Sequence, residues 1–227
     1  KSFSEKNKFE YAGAAGGFID KFGYPFCRGR ILEKIEEDTN QYNDEREIFW
    51  ATGACLFIRA DCYRLLNGFD EDFFAHMEEI DLCWRLKNRG YKIMYSPNSF
   101  VYHVGGGTLN KSNPKKTFLN FRNNLIIICK NHPPKYFLLK LFIRMILDGI
   151  AGLKFLFSGE IKDFFAVIKA HLSFYKTLKT TFNKRNELKR HIKNYTQSAV
   201  YIHSIIADFY LRGKKIFSDI DSEKRFL

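Results

Sequence analysis

Three carboxylates crowd one short run of the sequence, FFAHMEEIDLCWR at residues 73–85. Glu78, Glu79 and Asp81 fall directly after aromatic residues and at the predicted start of a helix. Like charges this close raise one another's pKa, whereas the positive end of a helix lowers the pKa of nearby acids. A carboxylate poised between these effects can serve as a general base. The alternative is a solvated acidic first turn in which Asp81 pairs with Arg85.

The elements that must position these carboxylates follow alternating strand and helix patterns. The predicted order is a buried strand at 54–58 after Gly53, a short helix capped by Asp61 and ending at Gly68, a helix at 79–89 closed by Gly90, and strand-like runs at 91–95 and 100–104 that end at glycines 105–107. Together they predict a mixed α/β fold.

A glycine-rich patch, AGAAGG at residues 12–17, precedes this region. It lacks the spacing of a dinucleotide fingerprint, and no Lys-Ser or Lys-Thr pair follows it, which excludes a phosphate loop. We therefore predict a flexible surface turn.

Three stretches together resemble a known family. They are TGACLFIR at residues 52–59, GFDEDFFAHMEEIDLCWRLKNRGYKI at residues 68–93, and SFVYHVGGGT at residues 99–108. They resemble family 2 glycosyltransferases of bacterial surface-polysaccharide pathways, including rhamnosyltransferase-like members. The resemblance implies a GT-A fold, in which a nucleotide-binding half with a DXD metal motif is continuous with an acceptor-binding half.

Only the acceptor-side half of the GT-A domain is expected in this chain. No Asp-x-Asp precedes residue 50, and the triplet Asp70-Glu71-Asp72 lies inside the acceptor-side motif. The resemblance therefore implies that the nucleotide-binding half is missing and that the isolated fragment is inactive.

The resemblance also assigns roles to single residues. The family's carboxylate pair falls on Glu78 and Glu79, and the second member, Glu79, would be the catalytic base of an inverting transfer. Glu78 and Asp81 would orient the acceptor sugar by accepting hydrogen bonds from its other hydroxyls. His103, which follows Glu79 by 24 residues, would complete a site for Mn²⁺ or Mg²⁺.

Trp50, Thr52 and Gly53 complete the implied acceptor site. Trp50 stands just before the Thr52-Gly53 turn and, with Phe73 and Phe74, offers an apolar platform for a sugar ring or a lipid. Core packing is the simpler account of these rings, and the sequence leaves both accounts open.

Charge divides the chain into two unequal parts. Residues 1–110 carry 14 basic and 17 acidic side chains, whereas residues 111–227 carry 23 and 8. A basic half predicts a polyanionic neighbour, either nucleic acid or an anionic membrane. The five cysteines have no CxxC spacing, which predicts reduced thiols and a cytosolic compartment.

Residues 136–157 show helical spacing with Lys140, Arg144, Asp148 and Gly152 at intervals of four. This pattern predicts an interfacial helix whose basic side chains face lipid headgroups, and the alternative is a helix packed on the α/β domain. We predict an acceptor and catalytic half at residues 1–131, followed by a basic amphipathic helical tail at 132–227 that associates with a membrane.

The resulting functional hypothesis is sugar transfer from a nucleotide-sugar donor to a glycan or lipid-linked acceptor. The enzyme would be cytoplasmic and peripheral on the inner face of the plasma membrane, against its cytoplasmic leaflet.

The competing hypothesis is a non-catalytic basic module that binds a membrane or nucleic acid. Phe118, Phe121, Arg122 and Tyr136 would suit base stacking. Residues 125–129 and 138–147 are too aliphatic for a nucleic-acid surface, so no nucleic acid partner is expected.

Overall fold

The computed structural model describes residues 1–104, 113–192, 195, 198–221 and 225–227. Over these residues the chain is mixed α/β, as predicted. The strands are β1 Gly17–Asp20, β2 Pro25–Cys27, β3 Arg30–Ile31, β4 Lys34–Ile35, β5 Arg46–Ile48, β6 Ile93–Tyr95 and β7 Val200–Tyr201. The helices are α1 Ala60–Leu65, α2 Glu78–Lys87, α3 Pro114–Asn131, α4 Phe137–Phe157, α5 Ile161–Lys189 and α6 Ile205–Leu211. Short 3₁₀ turns cover Gly53–Cys55, Glu71–Phe73 and Phe217–Asp219.

The larger sheet has the strand order β4-β3-β2-β1-β7. Strands β1 to β4 form an antiparallel meander, and β7 pairs parallel with β1. Strands β5 and β6 form a second, antiparallel ladder. Strand β7 lies within the tail that was predicted to be helical, and its two residues are too short a signal to detect from periodicity.

Around the carboxylates the predictions hold in part. Helix α2 and strand β6 lie where they were predicted, and the chain turns at Gly68 and Gly90 with positive φ angles. Asp61 does not cap α1, because the N-cap is Arg59 and the Asp61 carboxylate pairs with its guanidinium at 2.7 Å.

The strands predicted at 54–58 and 100–104 are both wrong. The first segment opens with a 3₁₀ turn and leaves Phe57 89% exposed, and within the described residues no neighbouring strand pairs with it. Within the described residues the second makes a single bridge, between Ser2 and His103. Residues 105–107, predicted to end it, lie outside the described residues. Extended apolar runs form strands only where a partner edge satisfies their backbone groups.

The glycine-rich patch forms a turn, as predicted, but Gly13 and residues 15–17 are buried, so the prediction that this turn lies at the surface is wrong. A Cβ on Gly17 would come within 2.2 Å of the Trp50 indole, and one on Gly13 within 2.6 Å of the Thr52 side chain. The glycines thus let the segment containing Trp50 and Thr52 lie directly against β1.

Helix α4 is oriented opposite to the prediction. Arg144 and Asp148 are 3% and 0% exposed and pair with each other at 2.8 Å, and Arg144 also donates to Asn124 of α3. The polar stripe therefore faces the protein rather than headgroups, since buried ionic groups must find partners there. The apolar residues lie outward.

The predicted boundary between residues 131 and 132 stays a prediction. Helix α5 packs along α3, and β7 joins β1, so the tail contacts both the helices and the sheet of the first part. Within the described residues, no helix combines the length and apolar composition needed to cross a membrane.

Candidate active site

The loop before α2 has an unusual backbone. Phe74, His76 and Met77 have φ angles of 61°, 66° and 73°, in the left-handed region that side-chain-bearing residues avoid. Each such residue costs on the order of 1–3 kcal/mol and persists only where its surroundings fix it. The loop ends by delivering Glu78 and Glu79 to the first turn of α2.

Helix α3 fixes this loop through its polar side chains. The fully buried Asn123 amide donates to the carbonyls of Phe73, Ala75 and His76 at 3.0, 2.9 and 2.7 Å. Arg122 adds hydrogen bonds to the carbonyls of Asp72 and Phe73. These contacts offset the backbone strain and set the position of the carboxylates.

We expect Asn123→Ala to destabilise the protein by at least about 2 kcal/mol, because buried carbonyls that lose their donor cost about 1–3 kcal/mol each. Urea unfolding monitored by circular dichroism measures the change. Asn120→Ala is the matched control on the same helix, because the Asn120 side chain makes no hydrogen bond to any residue that the structure describes. Equal losses for the two variants would refute the clamping role of Asn123.

Glu79 is the perturbed acid of the site. Burial raises its pKa to about 7, and the neighbouring Glu78 charge adds to the rise, while the backbone N–H groups of Glu79 and Gly53 oppose it. A carboxylate with a pKa near neutrality is suited to accept a proton and release it again. Burial, rather than the crowding of carboxylates seen in the sequence, is the larger cause of this shift, and the role of Glu79 as a base stays a prediction.

Unsatisfied polar atoms cluster beside Glu79. Within the described residues, the Oε2 atoms of Glu78 and Glu79 and the Nε2 atom of His76 are buried without a hydrogen-bond partner. Burial and the nearby Lys116 lower the pKa of His76, which favours its neutral form. Such groups are suited to accept from or donate to the hydroxyls of a bound ligand.

Asp81 lies in a different environment from Glu79. It is fully buried, and its oxygens accept from Arg85 at 2.7 Å, Lys130 at 2.9 Å and Asn131 at 2.7 Å. The ion pair between Asp81 and Arg85 that was the alternative interpretation of the sequence is present, but it lies in the protein interior rather than in solvent. Because these protein donors engage both oxygens, the environment of Asp81 favours a structural role.

The structure brings Thr52 and Gly53 to Glu79 but leaves Trp50 in the core. Gly53 directs its N–H to the Glu79 carboxylate, and the Thr52 hydroxyl accepts from Ala54 N–H. Trp50 is 4% exposed and donates to the Phe18 carbonyl at 3.0 Å. Phe73 is also buried, whereas Phe74 is 74% exposed and is the one ring of the three that is available as a platform.

His103 lies beside Glu10, with Nδ1 3.1 Å from Glu10 Oε2. Within the described residues, no group of three His, Cys, Asp or Glu side chains converges as a metal site. An imidazole and a carboxylate nevertheless fit Mn²⁺ or Mg²⁺, which takes few protein ligands and completes its shell with phosphates and water. The residues present therefore suit a partial metal site.

A cavity of about 650 Å³ lies next to this site, although Glu78, Glu79 and His76 do not line it. Glu10, Thr52, Arg59 and His103 line it, as does Cys83, which follows Glu79 by one turn of α2. This volume lies within the range of small-molecule sites, roughly 300–1,000 Å³.

The sequence interpretation missed Glu10, Asn123 and Arg122 as contributors. An asparagine pair directly before the apolar run at residues 125–129 was a detectable signal for Asn123, since buried amides need partners. Glu10 had no local signal, because its contact with His103 depends on the long-range pairing that brings His103 to the N-terminal segment at Ser2.

Part of the chain is similar to known glycosyltransferases. It is 35% identical over 98 residues to the rhamnosyltransferase WbbL of Escherichia coli K12, covering 43% of this chain and 36% of that protein. It is 28% identical over 88 residues to the N-acetylglucosaminyl-diphospho-decaprenol L-rhamnosyltransferase of Mycobacterium tuberculosis H37Rv, covering 39% and 29%. The pre-mycofactocin glycosyltransferase of that organism matches at 28% identity over 88 residues, covering 39% and 18%.

These matches support a glycosyltransferase relationship for this chain. The matched stretch spans about a third or less of the length of each relative. No protein-family model and no solved structure matches the chain.

Proposed function

We propose that this chain carries the acceptor-side and catalytic-base part of an inverting, family 2 glycosyltransferase with a GT-A fold. The observation that carries the proposal is Glu79, held at a helix start with a pKa near 7 and with its Oε2 atom buried without a hydrogen-bond partner among the described residues. The similarity to rhamnosyltransferases supports the same reaction class.

In this proposal Glu79 removes the proton from an acceptor hydroxyl as that oxygen attacks the anomeric carbon of a nucleotide sugar. Attack from the face opposite the nucleotide inverts the configuration. Gly53 and the strained loop orient the carboxylate, and Glu78 and His76 contact the acceptor's other hydroxyls. General-base assistance is typically worth about 10²–10⁴ in rate.

Glu10 and His103, which both line the cavity, would hold the divalent cation. When bound, Mn²⁺ or Mg²⁺ supplies charge stabilisation for a leaving diphosphate. In this proposal, residues outside this site bind the nucleotide diphosphate.

The acceptor is a glycan or a lipid-linked sugar, since the mycobacterial relative is named for a diphospho-decaprenol acceptor. We propose rhamnose or another hexose as the donor sugar, and the inner face of the plasma membrane as the location. Arg122 donates to loop carbonyls and is only partly exposed, which disfavours the competing nucleic-acid interface.

We expect sugar transfer by the complete gene product to rise with pH until about pH 8. Only ionised Glu79 accepts a proton, so the rate should increase about tenfold per pH unit below the pKa of about 7 and level off above it. Transfer of radiolabelled sugar from a nucleotide sugar to a lipid-linked acceptor measures the profile. A rate independent of pH between about 5 and 8 would contradict the assignment.

A further inference from the structure

Helices α4 and α5 expose two long apolar stripes. On α4, the stripe consists of Leu138, Phe142, Ile146, Ile150, Leu153 and Phe157, each between 49% and 86% exposed. On α5, it consists of Phe165, Ile168, Leu172 and Tyr175, each between 41% and 55% exposed. A contiguous apolar surface of this length marks an interaction site in a folded protein.

The two stripes lie on one face of a helical hairpin. Helices α4 and α5 run antiparallel in register, since Phe137 packs on Phe182, Asp148 lies 3.5 Å from His171, and Gly152 faces Val167. Both helices turn their inner sides toward α3. The stripes occupy the opposite sides, so they form one outer face about 30 Å long, at 1.5 Å per helical residue.

Positive charges lie beside the apolar stripe of α5. Lys162, Lys169 and Lys176 are exposed and recur every seven residues along α5, beside the apolar stripe. Two of the nearby acids face inward, because Asp148 pairs with Arg144 and Asp163 accepts a hydrogen bond from Thr117 of α3, whereas Glu160 is exposed in the turn between the two helices. The apolar face is therefore flanked by a line of positive charge.

We propose that the α4–α5 face docks on an anionic lipid bilayer, with its apolar side chains among the acyl chains and its lysines at phosphate headgroups. The hairpin lies in the plane of the interface, as amphipathic helices with a basic edge do. A second copy of the chain fits less well, because two-fold packing of this face would bring the lysines of both copies to one interface. The carboxylates of Asp148 and Asp163 point inward and do not neutralise them. The inference supplies a surface for the membrane location in the proposed function.

The first experiment measures binding of the full chain to vesicles by flotation, with phosphatidylcholine alone and with added phosphatidylglycerol. We expect binding to require the anionic lipid and to weaken with salt. Lys162→Gln, Lys169→Gln and Lys176→Gln together should weaken it roughly 100-fold, at about fivefold for each lysine near the surface. The control combines Lys6→Gln, Lys34→Gln and Lys92→Gln, which removes the same charge from exposed positions elsewhere and should retain most of the binding.

The second experiment keeps the face apolar and reports how deeply it enters the bilayer. Phe142→Trp should show a blue-shifted emission and quenching by brominated phosphatidylglycerol, whereas Phe57→Trp, at an exposed ring outside the hairpin, should show neither. Both substitutions preserve an aromatic side chain at an exposed site, so folding is retained.

Equal loss of binding in the two lysine triple variants, or no quenching at Phe142→Trp, would overturn the proposal. A dimer in sedimentation that is disrupted by Phe142→Gln and Ile146→Gln, without vesicle binding by the wild type, would assign the face to a second copy instead. Neither readout involves sugar transfer, so failure here leaves the role of Glu79 standing.

Discussion

Glu79→Gln should reduce sugar transfer by the complete gene product about 10²–10⁴-fold, the usual contribution of a general base. Glutamine keeps the size of the side chain and the contact with the Gly53 N–H, but it cannot accept a proton at neutral pH. The loss should fall on kcat, because the acceptor hydroxyls keep their contacts with Glu78 and His76. Steady-state kinetics with a nucleotide sugar and a lipid-linked acceptor measure the change.

Two controls separate catalysis from folding. Glu71→Gln removes the same charge from an exposed position in the same loop and should leave turnover near that of the wild type. The folded-state pKa of Glu79 is raised, so its ionisation costs folding free energy as the pH rises through about 7. Glu79→Gln, which cannot ionise, should therefore be at least as stable as the wild type at about pH 8. Normal turnover in Glu79→Gln would remove Glu79 from the mechanism.

Asp81→Asn should destabilise the protein by about 3–5 kcal/mol, the usual cost of removing one partner from a buried ionic group. The substitution leaves the Arg85 and Lys130 side chains, 5% and 3% exposed by residue, without the carboxylate they share. Arg85 also donates to the carbonyls of Leu66 and Gly68, so the connection between α1 and the strained loop should loosen. Urea unfolding monitored by circular dichroism gives the change in unfolding free energy.

Asp61→Asn is the matched control for Asp81→Asn. Asp61 and Arg59 form an ion pair of the same chemistry, but their side chains are 57% and 77% exposed. An exposed pair contributes at most about 1 kcal/mol, so this variant should change stability little. A loss for Asp81→Asn no larger than for Asp61→Asn would show that the buried network does not stabilise the fold.

The sequence predicted the elements whose signals are local. The glycine stop after α2 specifies where that helix ends, and the crowding of Glu78 and Glu79 accounts for the smaller part of the rise in the pKa of Glu79. The same reasoning failed at residues 54–58, because a β-type composition does not determine whether a partner strand is present.

Long-range placement could not be predicted from such patterns. The helical period of α4 identified its polar stripe correctly, but either face of a helix can lie inward when Arg144 and Asp148 satisfy each other and Asn124 accepts from the arginine. The contact of His103 with Glu10 depends on pairing between residues about a hundred positions apart, which leaves no periodic trace. The trapped position of Asp81 likewise depends on α3, whose register against α2 is a tertiary property.

The contact between Asn123 and the loop has a consequence for protein engineering. Phe74, His76 and Met77 cannot hold left-handed φ angles on their own preferences, so the loop takes this shape only when α3 supplies the opposing amide. A chimera that imported the carboxylate motif alone into another scaffold would relax and misplace Glu79. Transplantation must therefore move residues 70–87 and 114–131 as one cassette.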